Sequence, residues 1–175
     1  MIGIEGRQIE EENYHLLKTR RLILDTHDGN RYLANEVAFH ELYASLSDEE
    51  ISKLSKVDFP IFTLTCGPSE LRDVVAKEVN YTILTESDRV LYEANILILA
   101  NRWQRALAKD PNEILFNTKH QINECLGKLT YTQLQTVARR SLMHSRISIS
   151  FNALNRMVMN TEMSREERNC VLIAG

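Results

Sequence analysis

The residues of this sequence best suited to chemistry are its cations. Lys128, Arg139, Arg140, Arg146 and Arg156, with Arg102, Arg105, Lys109 and Lys119, make nine basic residues in 101–156 against three acidic ones, net +6. Clustered Lys and Arg displace the counterions condensed on nucleic-acid phosphates. The first five of these are therefore the candidate DNA-binding residues, with Arg139, Arg140 and Arg146 as the densest group. Nothing beside them points to covalent or metal chemistry. Cys66, Cys125 and Cys170 are odd in number, widely spaced and free of a CxxC pair, so ordinary and mostly buried thiols are expected, with no disulfide framework and no zinc site. The five histidines include no HExxH pair, and there is no GxGxxG, Walker loop or GxSxG. The expectation is a non-catalytic protein with neither cofactor nor metal.

The elements that must position these cations read as helices. The chain is 43% hydrophobic and 26% charged, with only 6 Gly and 3 Pro among 175 residues, too few turn formers for an all-β fold. The longest apolar run, residues 96–100, stops at Asn101 and Arg102, short of the roughly 18 residues that span a bilayer. Residues 1–12 are acidic and lack the order of a secretory signal, which makes a cytoplasmic location the expectation.

An internal repeat organises the helices. At an offset of 83, Leu46, Ile51 and Leu54 meet Leu129, Leu134 and Val137. Ser47 with Glu50 and Thr130 with Gln133 are both capping boxes, in which a hydroxyl accepts a first-turn amide and the third side chain reaches back. Upstream, Phe39, Leu42 and Tyr43 match Ile122, Cys125 and Leu126 at helical spacing; downstream, Leu64 and Cys66 match Ile147 and Ile149, and Ser69 matches Asn152 as a helix N-cap.

Each unit thus reads as a leading helix (10–24 and 88–108), a second helix, a capped third, a short extended stretch (60–65 and 146–151) and a fourth helix. A final helix over 165–172 starts at Ser164 with Glu167 as its box partner. The second leading helix is apolar nearly all round, as a seam helix between units or chains would be. The fold class is mainly α: two tandem helical units, 1–83 and 84–175, forming a pseudo-dimer, with at most short β-strands after each capped helix.

In the second unit, Ile98-Leu-Ala-Asn-Arg-Trp, then Leu115-Phe116, Ile122, Leu126 and Leu129-Thr-Tyr-Thr-Gln-Leu, closing on Leu142-Met-His-Ser-Arg-Ile-Ser-Ile149, make a run of about 55 residues that resembles FlhD, the partner of FlhC in the flagellar master regulator. The resemblance implies a helical, dimer-forming, DNA-associated transcription activator subunit that works with an FlhC-like protein on promoter DNA. Relatives also occur on mobile elements. FlhD is a single-unit chain, so two units here suggest a covalent pseudo-dimer, with homo-oligomerisation still open. The cysteine FlhD carries near its alternating stretch falls on His144, so its inter-subunit disulfide is not expected.

Charge divides the units. Residues 1–83 hold 9 Lys/Arg and 15 Asp/Glu, net −6; residues 84–175 hold 12 and 9, net +3. That assigns the basic second unit to nucleic acid and the acidic first to protein. A helix-turn-helix over 152–174 is conceivable, but Glu166 and Glu167 at the start of its second helix would repel phosphate. The alternative function is a protein-interaction scaffold, or a regulator that titrates a partner without touching DNA.

Overall fold

A computed structural model describes residues 4–76, 81–108 and 120–174, and these are mainly helical with one short antiparallel ribbon. The chain runs through α1 (Ile4–Leu24), a 3-10 helix (Gly29–Phe39), α2 (His40–Ser45), α3 (Asp48–Ser55), β1 (Phe62–Leu64) and α4 (Pro68–Ala76). It continues through α5 (Glu86–Ala108), α6 (His120–Gly127), α7 (Tyr131–Ala138), β2 (Ser145–Ile147), α8 (Phe151–Met159) and α9 (Arg165–Ala174). No described helix is long and apolar enough to cross a membrane. The bounds of α3, β1 and α4 coincide with those of α7, β2 and α8 at the offset of 83. Both capping boxes form: Ser47 and Glu50 at α3, Thr130 and Gln133 at α7. Ser164 and Glu167 exchange the same pair of bonds at α9.

The chain forms two compact units, Met1–Phe62 with Ile147–Gly175, and Thr63–Arg146. This partition differs from the sequence repeat. Helix α4 belongs with α6 and α7, and α8 with α3 and α9.

In the first unit α1 buries Ile9, Leu16, Leu17 and Ile23 against α2, α3 and the 3-10 helix. The spacing of three and four along one stripe is what an amphipathic helix needs. Arg20 is on the same stripe and is fully buried. Its Nε and Nη2 donate to Glu36 Oε1 and Oε2 at 3.1 and 3.0 Å, Tyr43 Oη donates to Glu36 at 2.5 Å, and the guanidinium covers the Phe62 ring at 4.2 Å. Glu36 reaches this network because the segment before α2 is a 3-10 helix, with Leu33 and Glu36 out of helical φ/ψ and turned inward. Gly29 opens it: a Cβ there would fall 1.5 Å from the Ile23 carbonyl oxygen.

In the second unit α5 packs on α6 and α7, burying Leu91, Ala94, Ile98 and Leu99, with Ile96 and Leu97 half-buried. The two leading helices use one device. Asn13 Nδ2 donates to the Ser55 and Phe59 carbonyls, and its Oδ1 accepts from Ile61 N–H. Asn95 Nδ2 donates to Ala138 and Leu142, and its Oδ1 accepts from His144 N–H. All three backbone targets are related by 83, the asparagines by 82. Arg21 Nη1 and Trp103 Nε1 likewise donate to the equivalent carbonyls of Leu46 and Leu129.

Two local expectations are corrected. Ser69 and Asn152 lie inside α4 and α8 and do not cap them. Pro68 opens α4, its fixed φ suiting the first helical position, and Ser150 Oγ caps α8 by accepting from Ala153 N–H at 3.1 Å. The extended stretches contract to three residues each, flanked by Thr65 N–H donating to His144 O and Ser148 N–H to Ile61 O, both 2.9 Å.

Candidate functional site

Four of the five sequence-designated cations, Lys128, Arg139, Arg140 and Arg146, belong to the Thr63–Arg146 unit, and Arg156 to the other. Lys128 is exposed just before the Thr130 cap of α7, and Arg139 is the residue that ends it. Eight helical residues rise about 12 Å, so these two bracket a helix roughly as long as a few nucleotide steps. Arg146, the middle residue of β2, points to solvent between two buried neighbours. Lys128, Arg146 and Arg156 make no ion pair among the described residues. Arg139 and Arg140 are half-buried and engaged, the first over the Tyr92 ring at 5.6 Å, the second with Nη1 3.1 Å from Glu70 Oε2. Arg102 and Arg105 are buried, which removes them from any phosphate-facing set; Lys109 and Lys119 lie outside the described residues.

Helix α9 follows α8 across a five-residue turn, as a helix-turn-helix would, but its cations are spent internally. Arg165 pairs with Glu10 and Asp58, and Arg168 donates to the Lys56 carbonyl at 3.0 and 3.2 Å. Glu166, Glu167, Cys170 and Ile173 are among the side chains it leaves exposed, none of them a cation.

A second constellation escaped the sequence reading. The turn after β1 places Cys66, the first turn of α4 places Glu70, and the residue before β2 is His144. Cys66 Sγ lies 3.6 Å from Glu70 Oε2, His144 Nδ1 lies 3.9 Å from the same oxygen, and the three donor atoms all fall within 4.8 Å of one another. Cys66 and His144 are fully buried and Glu70 is part-exposed. The imidazole is held from two sides. Its Nε2 meets the Val137 carbonyl at 3.0 Å and must carry the proton there, while its backbone N–H donates to Asn95 Oδ1 at 2.9 Å. Nδ1 is then a bare lone pair, and it has no hydrogen-bond partner.

Burial disfavours charge throughout the cluster. It pushes the Cys66 thiol well above its ordinary range, with the Glu70 carboxylate adding to the rise and Arg140 opposing it. It holds the His144 imidazole below its ordinary value, the Glu70 charge working against that. A protonated thiol beside a neutral imidazole is not an activated nucleophile, which needs thiolate character. Soft sulfur, borderline nitrogen and hard oxygen converging on one point are instead a donor set for a divalent transition-type ion.

The spacing of Cys66 and Glu70, four residues apart with His144 far downstream, matches no linear metal pattern. The repeat register held the missing signal. At the offset of 83, Cys66, Glu70, Arg140 and His144 stand where the first unit has Ile149, Ala153, Val57 and Ile61, all apolar. Compared with family models, with curated proteins and with solved structures, the chain gives no significant match.

Proposed function

We propose that this chain is a non-catalytic, DNA-associated subunit of a bacterial transcription regulator that acts with an FlhC-like protein partner in the cytoplasm. The resemblance of residues 98–149 to FlhD suggests the class. The observation that carries the DNA face is the pair Lys128 and Arg146, two exposed cations without ion-pair partners among the described residues, in one compact unit. Residues 63–146 hold 11 Lys/Arg and 9 Asp/Glu, net +2, while the remainder holds 10 and 15, net −5. Phosphate is drawn to the first and repelled by the second. Arg139 adds a further cation; Arg140, already on Glu70, contributes less. The promoter affinity expected of the chain alone is weak, and the partner supplies the rest.

Fluorescence anisotropy on promoter DNA, with and without the partner, tests this. Lys128→Glu with Arg146→Glu should flatten the slope of log affinity against log salt by about two. An unchanged slope rules out the assigned face. A protein-interaction role without DNA is the second reading. It is favoured by Val37, Leu84, Met159 and Ile173, large apolar side chains left mostly exposed, and by the carboxylates of α9. A stable partner complex with no affinity for DNA at low salt would select that reading.

A further inference from the structure

We infer that the Thr63–Arg146 unit contains a binding site for a single zinc-class divalent cation, its ligands being Cys66 Sγ, a Glu70 carboxylate oxygen and His144 Nδ1. Three independent features support it. The first is geometric. Ligand atoms around tetrahedral zinc stand about 3.5 Å apart, given metal–ligand lengths of roughly 2.0–2.3 Å. The distances of 3.6 and 3.9 Å are already close to this, and the third pair, within 4.8 Å, closes by rotation of side chains.

The second is the imidazole. Its Nδ1 is fully buried, unbonded and directed at the other two ligands, while Nε2–H is tied to a backbone carbonyl. Metal-bound histidines are prepared in this way, the far N–H fixing both tautomer and ring orientation. A buried nitrogen left without a hydrogen-bond partner is costly, and a coordinated ion satisfies it.

The third is the replacement of an apolar quartet. Val57, Ile61 and Ala153 are buried in the first unit, so the same scaffold closes there with hydrocarbon, Ile149 completing the set. Putting Arg140, His144, Glu70 and Cys66 at those four positions of the second unit exchanges favourable packing for polar groups, of which Cys66 and His144 are fully buried. A ligand that binds them accounts for all four positions differing from their apolar counterparts.

Sulfur and imidazole donors select a zinc-class ion over calcium or magnesium, which take oxygen. When the sulfur–metal bond forms, Cys66 releases its proton to solvent; His144 brings a lone pair and loses none. Thiolate and carboxylate together balance the charge of the ion. Arg140 Nη1, 3.1 Å from the same Glu70 Oε2 that faces Cys66 and His144, holds that carboxylate in place. The part-exposed side of Glu70 is where the ion enters and where water completes the coordination.

The test uses the full chain, stripped with chelator and titrated with Co2+ and then Zn2+. One Co2+ per chain should bind, with the near-ultraviolet thiolate-to-cobalt charge-transfer band and the visible bands of four-coordinate cobalt, both abolished by Zn2+. Cys66→Ser should remove the charge-transfer band, and Glu70→Gln should weaken Zn2+ binding by at least about 10-fold in competition with a chromophoric chelator. Cys170→Ser should leave both unchanged. The triple variant Cys66→Ile, Glu70→Ala and His144→Ile borrows the residues of the first unit; it should stay helical by circular dichroism and bind nothing. Failure of the intact chain to bind one Co2+, or binding that Cys66→Ser and Glu70→Gln leave unaltered, overturns the site.

Discussion

At the residue scale the buried polar groups decide most. His144 is fully enclosed, with Cys66, Glu70 and Arg140 around its ring and Val137 O on Nε2. Burial lowers its folded pKa, so near pH 6 the unfolded chain takes up a proton there that the folded chain refuses. Stability therefore rises with pH through the unfolded value near 6.5 and is lost as pH falls below it, down to the folded value. Urea unfolding of the metal-free chain between pH 7 and pH 5 should show a loss of up to about 1.4 kcal/mol per pH unit from this group. His144→Ile, the residue at the matching position of the first unit, should flatten that slope; an equally steep slope in the variant assigns the effect elsewhere. Asn95 is a second such residue. Asn95→Ala strands two carbonyls and the His144 N–H, and should destabilise by roughly 2–4 kcal/mol in chemical denaturation. Asn13→Ala should cost a similar amount, since it makes the same three bonds.

At the element scale the helix starts are where local chemistry rules. Thr130→Ala removes the hydroxyl that accepts from Gln133 N–H at 3.2 Å and should lower stability by about 1 kcal/mol, with Thr130→Ser close to neutral. Ser47→Ala should behave alike at α3. Equal losses from Thr130→Ser and Thr130→Ala would assign the effect to methyl packing. These caps were legible in the sequence because a capping box is a four-residue pattern whose partners are its own neighbours. The starts of α4 and α8 were less so. Ser69 and Asn152 are good capping types, but α4 already opens at Pro68 and Ser150 caps α8, so both residues lie inside their helices. The second helix of the first unit was legible at Leu42 and Tyr43, which lie on α2, but the 3-10 helix before it, where Leu33 and Glu36 depart from helical φ/ψ, was not. Only the Arg20 and Tyr43 partners of Glu36 explain that departure, and they are brought together by packing that no local pattern encodes. The same holds for the Cys66, Glu70 and His144 cluster: the sequence separates residues that two strand ends join.

At the scale of the whole molecule, hydrophobic periodicity announces which face of a helix is buried but not which helix covers it. That is why the 83-residue register was readable and the compact units were not. Along the chain α4 matches α8 at the offset of 83; in space α4 packs on α6 and α7, and α8 on α3 and α9. The two partitions make opposite forecasts for fragments. Residues 63–146 form a contiguous compact unit that keeps α4, α5, α6 and α7 together with the inner residues of both strands, and the fragment should be helical with a cooperative thermal transition. Residues 84–175 hold α5 to α9 yet lack α4, leaving bare the faces of α6 and α7 that it covers, including the surroundings of Leu71, fully buried in the intact chain. That fragment should melt without cooperativity or aggregate. A cooperative melt for 84–175 alone, with 63–146 unfolded, would mean that the sequence copy is the folding unit and that α4 only decorates it. With the expected result, the order of events is different. The inner segment can complete its core from a continuous stretch of chain, whereas the outer unit must wait for Ile147–Gly175 before α3 receives α8, so α8 and α9 should be the last elements protected in hydrogen exchange during refolding.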